Sequence, residues 1–125
     1  MKLSTLALLF SGDKSVEEFS AEIQGELAVH SRGLAKIGGS APVQVTEDAD
    51  IIVDRAALGL LCRLFASGQI SASELAYTAD VLQLADRVDF VSQDIANDLA
   101  ECTDPEINGP LTAARALEIS GKVAA

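Results

Sequence analysis

At two places in this chain of 125 residues, a glycine that can end a helix is followed three residues later by a serine that can start one. Glycine readily adopts the left-handed backbone conformation that follows the last turn of a helix. Serine accepts hydrogen bonds from the first turn of the next helix, and a glutamate three residues further on completes a capping box. The residues are Gly12, Ser15 and Glu18 in the first copy and Gly68, Ser71 and Glu74 in the second. The repeat predicts two similar helical hairpins.

Apolar residues recur at helical spacing on both sides of these junctions and in the C-terminal part of the chain. They predict helices over residues 2–10, from Val16 towards Gly38-Gly39, through Ile51 to Phe65, over residues 72–84, after Ser92 and after Thr112. Glu47, Asp48, Asp50 and Asp54 would lie near the positive end of the third helix. A turn is expected at residues 86–89, and loops at Asp104-Pro105-Glu106 and Asn108-Gly109-Pro110.

Short connections favour side-by-side packing of neighbouring helices. We therefore expect an all-α fold, a compact antiparallel bundle of five to six helices built from the two hairpins, as a single domain over residues 1–125. Aromatic residues make up 4% of the chain, so an aliphatic core is expected, which is typical of a helical bundle. The alternative is an α+β fold in which residues 42–53 form strands.

The two cysteines, Cys62 and Cys102, lie within helical patterns and do not form a Cys-x-x-Cys motif. Two distant cysteines do not define a disulfide framework, so both are expected to be reduced thiols in the core. No continuous apolar stretch reaches the length of a membrane span, and the N-terminal apolar stretch has no small-residue cleavage site. The cytoplasm is the expected compartment.

The charge of the chain is strongly negative, with 19 acidic residues against nine Lys and Arg and a net charge of −10. Such a chain repels nucleic acid and anionic membranes and attracts a basic protein. Between Leu64 and Ala114 the only base is Arg87, whereas the acids are Glu74, Asp80, Asp86, Asp89, Asp94, Asp98, Glu101, Asp104 and Glu106. The alternative interpretation is that this charge serves solubility alone.

Asp94, Asp98 and Glu101 are spaced so that a helix places them on one side. Like charges at this spacing destabilise an isolated helix by about 0.2–0.5 kcal/mol per pair, so their presence favours an anionic partner-binding face. The predicted partner-binding residues are these three together with Asp86 and Asp89. A solvated helix face without a partner is the simpler alternative.

No catalytic motif is evident, and the chain is predicted not to be an enzyme. His30 is the only histidine and is expected at the surface or its boundary, where it does not activate a nucleophile. Neither a phosphate-binding loop nor a dinucleotide motif is present, so no cofactor is expected. Glu101 and Asp104 form a Glu-x-x-Asp pair, but no matching carboxylate or histidine motif accompanies it to hold a metal. Tyr77 is expected to pack between helices, with an exposed binding anchor as the alternative.

The segment from Leu6 to Ser11 and from Ser15 to Ile23, with Glu18-Phe19-Ser20 at its centre, resembles the start of the colicin D-type immunity proteins. The resemblance implies a small, acidic, helical protein that blocks a cationic tRNA-cleaving toxin domain by presenting carboxylates to its substrate cleft. The leading hypothesis is therefore an acidic protein that neutralises a basic partner, most concretely a toxin nuclease. The alternative is a structural or regulatory helical module that self-associates.

Overall fold

The computed structural model of this chain describes residues 1–35, 43–103 and 111–122. These residues form six helices and two short strands, so the described part of the chain is mostly helical with a small sheet. The elements are α1 (Leu3–Ser11), α2 (Val16–Ala35), β1 (Ile51–Val53), α3 (Arg55–Ala66), α4 (Ala72–Leu84), β2 (Val88–Phe90), α5 (Gln93–Ala100) and α6 (Ala113–Ser120). The predictions at Gly38-Gly39, Asp104-Pro105-Glu106 and Asn108-Gly109-Pro110 lie outside the described residues.

Both predicted helix junctions are confirmed. Gly12 and Gly68 have φ angles of 84° and 79°, the left-handed conformation that glycine adopts without steric penalty. Ser71 Oγ accepts a hydrogen bond from the Glu74 amide at 3.1 Å, and the Glu74 carboxylate accepts one from the Ser71 amide at 3.0 Å. Ser15 and Glu18 make the same reciprocal pair at the start of α2. The helix ends in both hairpins are therefore fixed by local sequence.

The two strands correct the predictions for residues 51 and 88–89. β1 and β2 pair in parallel, with Ile51 opposite Val88 and Val53 opposite Phe90, so Ile51 belongs to a strand. Of the predicted turn, residues 86 and 87 do form a turn, whereas residues 88 and 89 belong to β2. The α+β alternative placed strands within residues 42–53, and β1 occupies the last part of that range. The α3–α4 hairpin supplies the long connection that parallel strands require. β-Branched side chains favour the extended backbone of β1.

The helix after β1 begins later than the sequence pattern predicts. Asp54 has an extended backbone and accepts a hydrogen bond from the Ala57 amide at 2.8 Å, so it caps α3. Glu47, Asp48 and Asp50 lie upstream of β1, not in the first turn of a helix. This places Asp50 and Asp54 at opposite ends of a strand.

The core is aliphatic and continuous, as the composition predicts. One buried cluster includes Phe19 and Ile23 of α2, Leu58 and Leu61 of α3, and Leu99 of α5. α3 packs along α6, α2 packs on α4, and Ser20 Oγ donates to the Glu74 carboxylate at 2.6 Å between the two hairpins. Within residues 1–35, 43–103 and 111–122, no helix combines the length and apolar content needed to cross a membrane.

Candidate protein-binding surface

The three predicted acids of α5 have different environments and do not form one exposed face. Asp94 is exposed in the first turn, whereas Asp98 is buried at 8% exposure. Glu101 directly follows the helix and is bonded to Arg115 of α6. The expectation of an anionic face made by these three residues is therefore wrong, because helical spacing says nothing about which cations from other elements cover that side.

Asp98 is held by two cations from other parts of the chain. Arg55 Nη1 donates to Asp98 Oδ2 at 2.7 Å, and Lys122 Nζ donates to Asp98 Oδ1 at 2.9 Å. Burial disfavours the charged carboxylate, but the hydrogen bonds from Arg55 and Lys122 outweigh it and lower the pKa of Asp98. Asp98 thus joins the start of α3 to the segment that follows α6.

Glu101 forms a two-point ion pair with Arg115. Arg115 Nε and Nη2 donate to the two carboxylate oxygens at 2.6 and 2.9 Å, and this pairing lowers the pKa of Glu101 against the opposing effect of burial. Arg115 also contacts Glu118 on its own helix at 3.2 Å. Glu101 therefore serves to hold α6 and offers a partner no free carboxylate.

The remaining predicted acids lie around the outer side of the sheet. Successive strand residues point to opposite sides, so alternate positions of β1 and β2 share one face. The register places Ile52 beside Asp89, and Asp50 bonds Arg87 across the strands at 2.8 Å. We define the acidic sheet face as six residues, all exposed: Asp50, Ile52, Asp54, Arg87, Asp89 and Val91.

The charge of the acidic sheet face is negative, with three carboxylates and one cation. The hydrogen bond from Arg87 lowers the pKa of Asp50, and Asp54 uses one oxygen to cap α3. In the part of the chain that the structure describes, no donor bonds the carboxylate of Asp89. Asp86 and Asp94 flank the face on either side of β2 and are similarly unpaired within the described residues.

Two large apolar side chains stand among these carboxylates. Ile52, at the centre of β1, is 69% exposed although Ile51 and Val53 on either side of it are buried, and Val91, which follows β2, is 63% exposed. Exposed apolar groups ringed by polar ones mark an interaction surface more often than isolated exposed side chains do.

A groove adjoins this face. It has a volume of about 510 Å³ and lies between α1 and α3, with Phe10 and Leu60 among its apolar walls and Arg63 of α3 also lining it. Asp50, Ile52 and Asp54 line it as well as the sheet face, so the two form one continuous surface. An apolar segment bearing cations would meet apolar walls and the carboxylates of Asp50 and Asp54 there, alongside one cation, Arg63.

A second cavity, of about 540 Å³, lies between α1, α2 and residues 44–46. Its carboxylates are already engaged, because Glu22 bonds Lys14 and Thr5, and Glu26 contacts the Met1 nitrogen at 2.6 Å. The hydrogen bonds from Lys14 and Thr5 lower the pKa of Glu22. Within the described residues, the carboxylates of Glu22 and Glu26 in this cavity are therefore already paired.

Tyr77 and His30, the one tyrosine and the one histidine of the sequence, pack against each other. Tyr77 is fully buried, as expected, and its hydroxyl accepts a hydrogen bond from the Gln44 amide at 3.0 Å. His30 is buried at 7% exposure with its ring edge-on to Tyr77 at 5.0 Å, so its predicted surface position is wrong. Burial raises the pKa of Tyr77. Within residues 1–35, 43–103 and 111–122, no group of three His, Cys, Asp or Glu side chains is arranged to hold a metal.

No protein-family model, curated protein or solved structure matches this chain. Function must therefore be inferred from the surface itself. Asp86, Asp89 and Asp94 were predicted from the sequence as binding residues, whereas Ile52 and Val91 were not. Residues 51–53 are an uninterrupted apolar run, Ile-Ile-Val, and Phe90-Val91 is another, so the sequence pattern does not show which of these side chains is exposed.

Proposed function

We propose that this chain is a non-catalytic binding protein that docks a basic partner protein on the acidic sheet face. The observation that carries the proposal is the pairing of Asp89, whose carboxylate has no partner among the described residues, with Ile52, an isoleucine 69% exposed to solvent. Burial of Ile52 against a partner removes apolar surface from water and so favours binding. The adjacent carboxylate of Asp89 favours a partner that places a cation beside it.

The adjoining groove extends the contact that such a partner can make. A lysine or arginine places an apolar stem along Phe10 and Leu60 while its charged end reaches Asp50 or Asp54. Negative charge at Asp86 and Asp94 increases the rate of encounter with a basic surface and lowers the affinity for acidic ones. The binding is therefore expected to depend on ionic strength.

The partner to test first is a tRNA-cleaving toxin nuclease of the colicin D type, because the N-terminal segment resembles the start of the corresponding immunity proteins. In that role, carboxylates of the acidic sheet face occupy positions that the RNA phosphates take in the nuclease cleft. The protein would act in the cytoplasm. Asp86, Asp89 and Asp94 are the predicted contact residues, whereas Asp98 and Glu101 support the fold that presents them.

Self-association is the second candidate, and the exposure of Ile52 and Val91 favours it. Gel filtration at low and high salt distinguishes self-association from binding of a different, basic protein. A dimer that persists at high salt supports an apolar contact between copies, because surface charges are screened over about 3 Å at 1 M salt. A monomer under both conditions leaves the face available to a different protein.

The experiment that tests the proposal is an NMR titration of the labelled chain with a colicin D-type nuclease domain. We expect shift changes confined to residues 50–54 and 86–94 and their neighbours in the groove. Asp89→Lys should slow association at low salt by about tenfold, since a like charge now faces the basic partner. Glu17→Lys makes the same charge change at an exposed site on α2 and is the matched control.

Equal association rates for the wild type and Asp89→Lys would contradict the proposed surface. Binding with shifts that map to another face would retain a basic partner but remove the acidic sheet face. Failure of the nuclease domain to bind, together with binding of a lysine- and leucine-rich peptide at this face, would remove the immunity role alone.

A further inference from the structure

Strand β1 has a backbone edge that β2 does not use. The Ile51 amide donates to the Arg87 carbonyl at 3.0 Å. The Val53 carbonyl accepts from the Val91 amide at 3.1 Å. In a parallel pair, alternate residues direct both backbone groups to the partner strand and the residues between them direct theirs away. The N–H and C=O of Ile52 therefore point away from β2, and no other group in the described part of the chain bonds either of them.

The groove beside the acidic sheet face runs along this free edge. Ile51 is buried and Ile52 is exposed, so their side chains lie on opposite sides of the sheet. Both residues line the groove, and a space that touches both sides of a strand lies at the edge of that strand. Phe10 of α1 and Leu60 of α3 line the same groove. The free edge of β1 therefore adjoins a space with apolar walls.

We propose that the free edge of β1 binds an extended, basic segment of the partner protein, which adds to the sheet as a third strand. This inference rests on the proposed function and specifies how the partner is held. In strand addition, backbone hydrogen bonds give affinity and alternate side chains give specificity. The N–H and C=O of Ile52 would each gain a partner from the added backbone in either strand direction.

The side chains beside the edge define the segment that fits. Asp50, Ile52 and Asp54 are alternate residues and are all exposed. A strand laid beside them places every second residue next to one of these three side chains. The pattern cation-x-apolar-x-cation therefore puts its apolar residue beside Ile52 and its cations beside the two aspartates. Arg63, the cation that also lines the groove, lies in the last turn of α3 and not on the strand.

The same carboxylates disfavour a second copy of this chain at the edge. Antiparallel pairing of two β1 strands centred on Ile52 places Asp50 of one copy opposite Asp54 of the other. Parallel pairing places each aspartate beside its own counterpart. Like charges opposite each other destabilise a strand pair, and charged residues on edge strands hinder pairing between copies. The charge of this edge therefore favours a basic segment from a different protein.

The test is amide hydrogen exchange of the full chain, followed by NMR, with the blocked peptide Thr-Lys-Val-Ile-Val-Lys-Thr as the probe. We expect saturating peptide to slow exchange of the Ile52 amide at least about fivefold, because this N–H then donates to the peptide. The Phe90 amide is the internal control. It points to the other edge of the sheet, so its exchange should not change.

The exchange rates separate failure of strand addition from failure of the proposed function. Unchanged exchange at both amides would overturn strand addition, whereas shift changes at residues 50–54 in the same sample would still support side-chain docking on the acidic sheet face. Slower exchange at Phe90 and not at Ile52 would overturn the assignment to β1. Slower Ile52 exchange at high protein concentration without peptide would show a second copy at the edge and overturn the basic segment.

Two variants at Ile52 separate backbone pairing from side-chain contact. Ile52→Ala and Ile52→Pro both remove the isoleucine side chain, but only proline also removes the N–H, which β2 does not use. We expect Ile52→Pro to bind the peptide at least about tenfold more weakly than Ile52→Ala does. Equal affinities would overturn strand addition alone. If Ile52→Pro fails to fold, the exchange comparison between Ile52 and Phe90 in the wild type decides the matter.

Discussion

Arg55 Nη1 lies 2.7 Å from Asp98 Oδ2, so the carboxylate near the middle of α5 faces the first residue of α3 and not solvent. Lys122 closes the other side of the same carboxylate. One residue that the charge pattern marked for partner binding is therefore part of the connection among α3, α5 and the residues after α6. Substitution of Asp98 should therefore change the free energy of unfolding more than it changes the affinity for a partner.

Asp98→Asn should destabilise the fold by about 2 kcal/mol, because it leaves Arg55 with a buried charge and no counter-ion. Urea unfolding followed by circular dichroism measures the change. Asp94→Asn removes the same charge from an exposed position one turn earlier on the same helix and should leave the midpoint nearly unchanged. Similar losses in the two variants would contradict a structural role for the Asp98 ion pairs.

The stability of the fold should fall in acid. Asp98 and Glu101 have lowered pKa values in the folded chain, so the unfolded chain binds more protons. Their contribution is complete above the ordinary carboxyl pKa, about 4, and is lost as the pH falls through the lowered values. Unfolding midpoints measured from about pH 6 to about pH 2 should decrease, and Glu101→Gln should reduce that decrease. A variant with the wild-type pH profile would exclude the Glu101–Arg115 pair as a contributor.

Two glycine substitutions should have opposite effects on stability. Gly68 has φ of 79°, so Gly68→Ala strains the backbone and should cost about 1 kcal/mol, although no atom lies within 4 Å of the added methyl group. Gly25 lies inside α2 with similar free space, and Gly25→Ala should stabilise the fold by about 0.5–1 kcal/mol. Thermal unfolding of both variants checks the signs. Destabilisation by both would mean that the loss at Gly68 is not specific to its φ angle.

The strands show why the sequence did not predict the whole fold. Val88-Asp89-Phe90 is too short to give a clear alternating pattern, and it directly follows the turn at residues 86 and 87. A three-residue strand gains its hydrogen bonds only from a partner, and Ile51 is 37 residues away. Tertiary pairing therefore decided the structure of both segments.

The predicted binding face on α5 differs from the acidic sheet face for the same reason, because tertiary contacts decide which acids stay exposed. Helical spacing correctly grouped Asp94, Asp98 and Glu101 on neighbouring turns, but it carried no information on the cations of α3 and α6. Once those cations pair with Asp98 and Glu101, the predicted acids that have no partner among residues 1–35, 43–103 and 111–122 are Asp86, Asp89 and Asp94. Strand register then adds Ile52 beside Asp89, a contact between residues distant in sequence.

The sequence by itself determined where helices end and begin at Gly12, Ser15, Gly68 and Ser71, because these signals act over three or four residues of backbone. It also determined an aliphatic core and a large negative charge. Only the tertiary structure decided which carboxylates are neutralised, which strands pair and which apolar residues remain exposed. Those properties depend on groups brought together from distant parts of the chain, and local spacing cannot specify them.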